Sequence, residues 1–536
     1  MQRHPTFPNL LFAGEGVWPG VPHRVNPIVI RIPTYAPPRS RVLPAEGLLP
    51  RADAVASATR ERAGLLLGLV LVLAAALFSL RLGHSSLFID EVFSWNASRG
   101  DLSRLADSLR YSEVTPPLYY LLLYGWLHIA GSDSEIVMRV PSVLAGVGVV
   151  ASIYWLGLLV AGRRGGLIAA GLAAISPLLM VYAQQARAYV WVMLALTLAV
   201  AAAIQGSRDR SSRYLLLAAV AAAVGILLHY TAIFVLAPLA IWLWRAPGVH
   251  LRWRIGFVLA VALPFVALAP LLTEQLSRGH HDIAESYAAL SPLNALRIAG
   301  TPFDGRMLEG IVLARELGAL VVIEALALLA LADRFRRLPA RWLIVACGAI
   351  PLVAVALAGA IGQPTALTRY TAVAAPFILV AIAAVAAHAN RVFAAVLVTC
   401  ALIASGAGVV SSHKRDGLYP DTRAAVSIAA EHWQHGDRLV GIGLLGFDGA
   451  LSYYGDKLLP RGQNAIPALR TLDGAAEAPP IVDAVLEGRR LWFISDPPVD
   501  SANLSKSLEE LGYRATATQE FPGSGRIELI RAEPLR

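Results

Sequence analysis

The chain has 536 residues, of which 56% are hydrophobic and 15% are charged. Soluble domains carry about 25% charged residues, which argues against a single soluble globule, and the hydrophobic content excludes a disordered chain. The net charge is +9, the positive excess lies entirely before residue 411, and the two cysteines are too few for a disulfide scaffold. A basic excess in the hydrophobic part is typical of membrane-protein loops rather than of nucleic-acid binding, so we predict no nucleic-acid partner.

Residues 1–60 are rich in proline and arginine and show no apolar period. They lack the contiguous apolar core and the small-residue cleavage site of a signal peptide. We predict a disordered N-terminal extension on the cytoplasmic side. A start codon assigned too early is the alternative.

The region 61–410 consists of apolar runs separated by polar segments. Its first run, Ala63–Leu80, has 18 residues without a charge, which is about 27 Å as a helix and close to the thickness of a bilayer core. We predict about eleven transmembrane helices, with the division of the stretch 213–245 left open. The other ten runs lie near 138–160, 166–183, 188–206, 213–230, 231–245, 255–272, 310–332, 342–361, 370–388 and 392–410.

Every second loop between these runs is rich in arginine, and cytoplasmic loops of membrane proteins are enriched in arginine. We therefore predict a multi-pass protein of the plasma (inner) membrane with these loops in the cytoplasm. The opposite side then receives the first outer loop 81–137, the turn 184–187, the loop 273–309 and everything after residue 411. The arginines concerned are Arg60, Arg62, Arg163, Arg164, Arg208, Arg210, Arg213, Arg245, Arg252, Arg254, Arg334, Arg336, Arg337, Arg341 and Arg391.

Two regions on the predicted outer side have structure of their own. Within the first outer loop, Leu118–Ala130 is apolar but has only 13 residues, so we expect it at the membrane interface or partway into the membrane. Over 411–536 helix and strand patterns alternate, which predicts a small extracytoplasmic α/β domain. Its predicted helices are 421–434 and 504–511, and its predicted strands are 438–442, 490–494, 513–520 and 525–531.

Asp90 and Glu91 are adjacent carboxylates in an apolar frame shortly after the first run. Such carboxylates are costly near a membrane unless they are hydrated or paired, and neighbours on a helix face different ways. One of them can therefore point into a cleft while a partner holds the other. A carboxylate at a water-excluding site makes a general base, so both are candidate catalytic residues. A solvated pair at a helix end is the alternative.

Arg187 and Arg369 lie at the outer ends of predicted spans, where the charge rule disfavours arginine. Arginine binds phosphate through two parallel hydrogen bonds. With Tyr189 and Tyr370 beside them, the two arginines predict a site for a lipid phosphate at the outer interface. The alternative is that they extend to the head groups of bulk lipid.

His229 and Tyr230 also lie at an outer helix end, where a single histidine is more often an interfacial hydrogen-bonding residue. In the loop 273–309, the cluster His280, His281, Asp282 and Glu285 would bind a metal only if the loop were helical, and a polar loop is the simpler interpretation. The stretch 441–446 matches GxGxxG by its letters. No acid ends a second strand about 20 residues later, which favours a glycine-rich turn over a dinucleotide site.

The order of these motifs resembles the bacterial glycosyltransferase family 39, which includes protein O-mannosyltransferases and the aminoarabinose transferase that modifies lipid A. The resemblance covers roughly residues 64–410 and is strongest over 85–230. The motifs that carry it are Asp90-Glu91, Thr115-Pro116-Pro117-Leu118-Tyr119-Tyr120, Arg139-Val140-Pro141-Ser142, Ser176-Pro177, Gln184-Gln185-Ala186-Arg187-Ala188-Tyr189, His229-Tyr230 and Arg369-Tyr370.

The resemblance implies a GT-C fold, which is a polytopic α-helical membrane enzyme with its active site at the outer face. Members transfer a sugar from a polyprenyl-phosphate carrier to a lipid, glycan or protein acceptor, usually with inversion. The aspartate of the first outer loop takes the proton of the acceptor hydroxyl, and this role falls on Asp90. Glu91 matches the second acid of the family, and the loop 273–309 would be a lid.

Two positions depart from the family pattern. Thr115 stands where relatives have a histidine or another basic residue, which removes a charged contact to the carrier phosphate. Gln185 stands where many relatives have glutamate, so no cofactor is certain and a divalent cation stays open. The candidate donor-phosphate and substrate contacts are thus Thr115, Gln184, Arg187, Tyr189, His229, Tyr230, Arg369 and Tyr370.

Two other classes of function remain. A transporter or flippase of lipid-linked saccharides would show paired halves and ionisable residues near the membrane midplane, of which Glu324 is the main example. An assembly protein would use its outer α/β domain to bind a partner. In a transferase, unlike either of these, the Asp90 carboxylate would be needed for turnover.

Overall fold

The structure, a computed structural model, describes residues 49–111, 115–277, 299–303, 312–360, 368–412, 421–443, 450–460, 489–496, 508–509, 512–521 and 527–535. The chain divides into residues 1–58 and 59–536, and the architecture below is that of the second unit. Most of the predicted lid, the cluster His280–Glu285, most of the predicted helix 504–511 and the glycine pattern beyond Gly443 lie outside the described residues.

The described part of the membrane region is mainly helical. Helix α1 begins at Leu49, so the last residues of the predicted N-terminal extension are helical, as their alanine, arginine and glutamate content favours. The helices are α1 Leu49–Ser79, α2 Ile89–Ser98, α3 Leu102–Tyr111, α4 Leu118–Ala130, α5 Glu135–Ala174, α6 Pro177–Ala183, α7 Tyr189–Asp209, α8 Ser212–Leu228, α9 Ile233–Arg245, α10 Leu251–Ser277, α11 Val312–Leu331, α12 Arg341–Ala360, α13 Thr368–Thr371, α14 Ala375–His388 and α15 Arg391–Ser412.

Several of these helices are long and apolar enough to cross a membrane, which confirms a polytopic α-helical membrane protein. Among the described residues three shorter apolar helices, Leu118–Ala130, Ser212–Leu228 and Tyr230–Arg245, accompany them. The predicted number of eleven spans stays a prediction. The seven long helices of the described part are Glu61–Ser79, Glu135–Ala174, Tyr189–Asp209, Leu251–Ser277, Arg341–Ala358, Arg369–His388 and Arg391–Val410.

The predicted spans 138–160 and 166–183 form a helical hairpin that turns at Gly162. Gly162 has φ 72° and ψ −175°, a conformation that is essentially restricted to glycine. A Cβ on Gly157 would lie 2.9 Å from Cα of Gly166, whereas residues nine apart in a straight helix are about 13.5 Å apart. The chain therefore reverses within α5, and the short helix α6 completes the second arm after a Ser176 N-cap.

The span that begins at Arg369 lies at the centre of the bundle. Of its most apolar window 89% is buried, compared with 17% for Glu61–Ser79 and 11% for Leu251–Ser277. It packs against α5, α11 and α12. The peripheral helices expose large apolar side chains such as Leu65 and Leu263, which suits contact with lipid.

In their described part, residues 81–137, which the sequence predicts to be the first outer loop, contain three short helices, α2 to α4. Helix α2 begins where the carboxylate of Glu91 accepts the backbone N–H of Phe88 over 3.0 Å, the N3-to-cap half of a capping box. Helix α4 follows Pro117 and ends at Gly131 in the left-handed conformation, φ 62°. This helix corresponds to the apolar segment 118–130 that is too short to span.

The described residues of the C-terminal region form a mixed four-stranded sheet in the order β1-β2-β4-β3, with β1 Arg438–Gly443, β2 Leu491–Asp496, β3 Tyr513–Phe521 and β4 Ile527–Pro534. Strands β1 and β2 are parallel, and β4 is antiparallel to both β2 and β3. Two helices, α16 Thr422–Glu431 and α17 Ala450–Leu458, precede and follow β1. The prediction of a small α/β domain is confirmed.

This region packs directly on the first outer loop. Tyr453 of α17 contacts Trp95 of α2 edge-to-face, with ring centroids 5.0 Å apart. Lys457 forms an ion pair with Asp133 over 2.5 Å. The hydrophobic core accordingly runs without interruption from the membrane helices into the sheet.

Candidate active site

An ion pair between Asp90 and Arg369 lies at the centre of the candidate site. Asp90 is the second residue of α2, and its Oδ2 is 2.6 Å from Nη1 of Arg369. The hydroxyl of Tyr189 donates to the same oxygen over 3.3 Å. The side chains of Asp90 and Arg369 are 11% and 18% exposed, so the pair is shielded but retains an accessible surface.

Arg187 approaches the turn that carries Asp90. Its Nη1 donates to the backbone carbonyl of Asp90 over 3.0 Å, to Oγ of Ser94 over 3.2 Å and to the hydroxyl of Tyr120 over 3.1 Å. The guanidinium also lies 5.9 Å from the ring centroids of both Tyr120 and Tyr189. The fold thus brings the two arginines that the sequence singled out to one aspartate.

These charges determine the ionisation of Asp90. Burial raises the pKa of its carboxyl, whereas the positive charges of Arg369 and Arg187 and the hydrogen bond from Arg369 lower it. The hydrogen bond from Tyr189 adds to the lowering, so the pKa lies below its ordinary value of 3.8. The group is therefore an ionised acceptor at neutral pH, and its basicity increases if a bound anion draws the arginine charge away.

Glu91 points away from this pair and is fully buried. Its Oε1 and Oε2 accept hydrogen bonds from Nε and Nη2 of Arg139 over 2.9 and 2.8 Å. Oε1 also accepts the backbone N–H of Ala186 over 2.9 Å, next to Arg187. These contacts occupy both carboxylate oxygens of Glu91.

Arg139 belongs to the site, although the sequence indicated it only as part of a family motif and not as a site residue. It is 2% exposed, and besides Glu91 it donates to the backbone carbonyls of Leu82, Ser85 and Ser86 over 2.8, 3.0 and 3.0 Å. The available signal was an arginine in the second turn of an apolar span, a place where a charge needs a buried partner.

Thr115 and Tyr230 connect to the site through polar side chains. Oγ1 of Thr115 is 2.5 Å from the hydroxyl of Tyr120, the group that binds Arg187. Gln275, buried at the end of α10, donates from Nε2 to the carbonyl of Thr115 over 3.4 Å and accepts from the Tyr230 hydroxyl over 3.0 Å. Tyr120 and Gln275 are further supports that the sequence analysis did not single out.

The remaining predicted aromatic residues lie beside Asp90 and its arginine. The ring of His229 is buried, with its centroid 5.7 Å from that of Tyr189, and its Nδ1 is 2.8 Å from Oγ1 of Thr231. Tyr370 directly follows Arg369 in the short helix α13 and is half-buried.

Gln184 binds elsewhere. Its amide donates to the carbonyls of Phe78 and Leu80 over 3.1 and 2.9 Å, at the end of α1. In the structure it therefore joins α6 to α1, whereas the sequence analysis expected a substrate contact. Among the residues that the structure describes, no group of three or more His, Cys, Asp or Glu side chains could hold a metal ion.

A cavity of about 470 Å³ lies at the other end of α7 from Tyr189. Its walls include Arg208, Arg210 and Trp242. Helix α7 has 21 residues, so this cavity is about 30 Å along the helix from the Asp90 site. None of the predicted site residues lines it, and it has no part in the chemistry of Asp90.

Residues 114–273 match the family model described as dolichyl-phosphate-mannose-protein mannosyltransferase. The matched stretch includes Thr115, Arg139 and Arg187 but ends before Arg369 and begins after Asp90. Over this stretch the predicted resemblance to glycosyltransferase family 39 is confirmed. Comparison with curated proteins gives no match.

Two crystal structures of ArnT from Cupriavidus metallidurans are similar to this chain. The one bound to undecaprenyl phosphate is 14% identical, and the alignment covers 86% of this chain and 97% of ArnT with a TM-score of 0.53. The apo structure is 13% identical, with 88% and 98% covered and a TM-score of 0.54. At this identity the likeness shows the fold, which is the predicted GT-C fold.

Proposed function

We propose that this protein is a membrane glycosyltransferase that moves a sugar from a polyprenyl-phosphate carrier to an acceptor on the outer side of the plasma (inner) membrane. The observation that carries the proposal is the pairing of Asp90, the base expected from the family resemblance, with an arginine suited to bind phosphate. The family model over 114–273 and the likeness to ArnT, one structure of which contains undecaprenyl phosphate, support the same function.

In this reaction the bond between the sugar C1 and the carrier phosphate breaks, and a bond between C1 and the acceptor oxygen forms. The acceptor hydroxyl gives its proton to Oδ1 or Oδ2 of Asp90. The leaving phosphate keeps the electron pair of the broken bond. A positioned general base of this kind contributes about 10²–10⁴-fold to the rate.

Arg369 and Arg187 stabilise the charge on the leaving phosphate. Fixed cations that face a developing anion in a shielded site are effective because they need no reorganisation during the reaction. The buried Nε of Arg369 has no hydrogen-bond partner among the described residues, so this guanidinium can donate to an anion in addition to Asp90. Arg187, bound to Tyr120 and to the Asp90 carbonyl, provides a charge in a fixed place.

Binding of the donor also activates the base. A phosphate that shares Arg369 weakens the ion pair of Asp90 and raises the pKa of the carboxyl from its lowered value. The carboxylate then becomes a better proton acceptor only after the donor has bound.

The test uses the full chain purified in detergent and reconstituted in vesicles. The probes are polyprenyl-phosphate-linked hexoses and pentoses, offered with membrane lipids, glycans and peptides as acceptors. We expect transfer from at least one donor by the natural chain and transfer at background level by Asp90→Asn, with polyprenyl-phosphate binding retained. Movement of the intact lipid-linked sugar across the bilayer without release of polyprenyl phosphate would instead identify a flippase.

A further inference from the structure

The segment Leu82–Phe88 joins α1 to the helix of Asp90, and two guanidiniums hold its backbone. Arg139 binds the first, fourth and fifth carbonyls of the segment, those of Leu82, Ser85 and Ser86. Arg423 binds the two carbonyls between them: its Nη1 is 3.0 Å from the oxygen of Gly83 and its Nη2 is 2.6 Å from that of His84. Five consecutive carbonyls therefore accept hydrogen bonds from two arginines.

The rest of the segment is bound by side chains of the C-terminal region. The backbone N–H of Leu87 donates to the hydroxyl of Tyr454 over 2.7 Å. Oγ of Ser86 donates to Asp421 over 2.8 Å, and it accepts the backbone N–H of Arg423 over 3.2 Å. Asp421 also caps α16 by accepting the N–H of Ala424 over 3.2 Å, so the start of that helix is fixed on the segment.

Glu135 connects this contact to the membrane bundle. Its Oε2 is 2.6 Å from Nη1 of Arg423, and its Oε1 accepts the hydroxyl of Tyr454. Burial and the Glu135 charge hold the pKa of the Tyr454 hydroxyl well above its usual range, so the group remains a donor. Glu135 begins α5, and Arg139 is one helical turn further on. The start of α5 thus links the two arginines that hold the segment, because it contains Arg139 and pairs with Arg423 through Glu135.

We propose that Arg423, Tyr454 and Asp421 are positioning residues, which set the backbone path into α2 and so the direction of the Asp90 carboxylate. The proposal rests on the proposed function for the reaction that this direction serves. Asp90 is two residues beyond the held segment, and a shift of about 1 Å in a reacting group can cost about 10²-fold in rate. The C-terminal region is then a part of the catalytic machinery and not only a site for acceptors.

Two variants test the proposal, each in the full chain. Arg423→Gln removes the donors to the carbonyls of Gly83 and His84. Tyr454→Phe keeps the ring but removes the hydroxyl that binds Leu87, so it provides a milder second variant if the first folds poorly. The matched control is Asp456→Asn, because Asp456 and Arg99 form an ion pair between α17 and the end of α2 at an exposed position, with side chains 49% and 27% exposed.

The first measurement is hydrogen–deuterium exchange, which needs no donor. We expect the rate of exchange over 82–92 to rise about 10-fold in Arg423→Gln, and less in Tyr454→Phe. The backbone of the segment should open more often once it has lost these hydrogen bonds. Asp456→Asn should leave this exchange as in the natural chain. Unchanged exchange in both test variants would overturn the proposal whatever the enzyme's substrate is.

The second measurement is steady-state turnover with the donor that the natural chain uses. We expect kcat to fall about 10-fold in Arg423→Gln while KM for the donor stays within about twofold, because Arg187 and Arg369 remain in place. In the background of Asp90→Asn the same change should have no further effect. An equal loss in that background would show that Arg423 acts independently of Asp90 and would overturn the positioning role. Increased exchange combined with an Asp90→Asn variant of full activity would instead overturn the proposed function and leave the structural contact intact.

Discussion

Arg369 and Asp90 are 279 residues apart in the chain, yet their side chains meet at 2.6 Å. Arg369 begins the most deeply buried of the described spans, and Asp90 begins a helix of the first outer loop. Their contact joins the two halves of the membrane region at one carboxylate. A change in either half therefore alters the charge and direction of the same group.

Replacing Asp90 by asparagine should lower kcat by about 10²–10⁴-fold, the range expected for the loss of a general base. The affinity for polyprenyl phosphate should remain or rise, because Arg369 no longer has a competing carboxylate. Turnover and equilibrium binding of the carrier measure the two effects. Tyr189→Phe is the control for local packing: it keeps the ring, removes the hydrogen bonds of the hydroxyl to Asp90 and Arg369, and should cost far less than the loss of the base.

The pH dependence of kcat/KM should change when Arg369 is replaced by glutamine. In the natural chain the pKa of Asp90 is lowered below 3.8, so the carboxylate stays ionised and activity should not fall between pH 7 and about 4.5 on its account. Loss of the arginine charge raises that pKa, and the acid limb of the profile should move to higher pH. Arg99→Gln removes a guanidinium from the far end of α2 and should leave the profile in place. If the pH profiles of Arg369→Gln and Arg99→Gln were the same, kcat/KM would not depend on the ionisation of Asp90.

Breaking the buried pair of Glu91 and Arg139 should destabilise the fold. Glu91→Gln leaves a guanidinium that is 2% exposed without its counter-charge, and the loss of one partner of a buried pair costs about 3–5 kcal/mol. Thermal unfolding of the detergent-solubilised protein measures the effect. Asp333→Asn breaks a pair with Arg336 whose side chains are 80% and 69% exposed, and it should cost at most about 1 kcal/mol. Equal shifts for the two variants would contradict the prediction.

The hairpin turn at Gly162 should be sensitive to a single methyl group. Gly162→Ala meets no atom within 4 Å, so its whole cost is backbone strain at φ 72°, about 1–3 kcal/mol. Gly171→Ala, in the second arm of the same hairpin, also meets no atom within 4 Å and has no positive φ. It should leave the midpoint of thermal unfolding unchanged or raise it. Unfolding midpoints in the same detergent compare the two.

The helices and the C-terminal sheet could be predicted because their patterns are local. Apolar runs such as Ala63–Leu80 predict helices, and the tyrosine and threonines of 513–520 favour a strand, although β3 is buried mainly at its two ends. The number of spans was harder to predict from the sequence. The predicted pieces 138–160 and 166–183 form the two arms of one hairpin, made of α5 and α6, because Gly162 turns the chain with a single residue, without the polar loop that usually separates spans.

The site was predictable as a set of residue types but not as a set of roles. Asp90, Arg187 and Arg369 stood out because their charges conflict with their apolar surroundings. Their neighbours in space could not be read from the sequence, since Arg139 looks like any residue near a span end until Glu91 is found 2.8 Å away. The contacts of Gln184 could not be read from the sequence for the same reason, because its partners at the end of α1 are backbone carbonyls, which every residue offers.

The way Arg139 and Arg423 bind the segment before Asp90 has a consequence for how the protein can vary. Both arginines bind main-chain oxygens, so the side chains of Leu82, Ser85 and their neighbours can be exchanged while the route of the chain is preserved. Gly83 and Ser86 are exceptions, because a Cβ on Gly83 would lie 2.9 Å from Ile136 and the hydroxyl of Ser86 binds Asp421 and the backbone N–H of Arg423. Related proteins should thus keep the two distant arginines more faithfully than the stretch they hold.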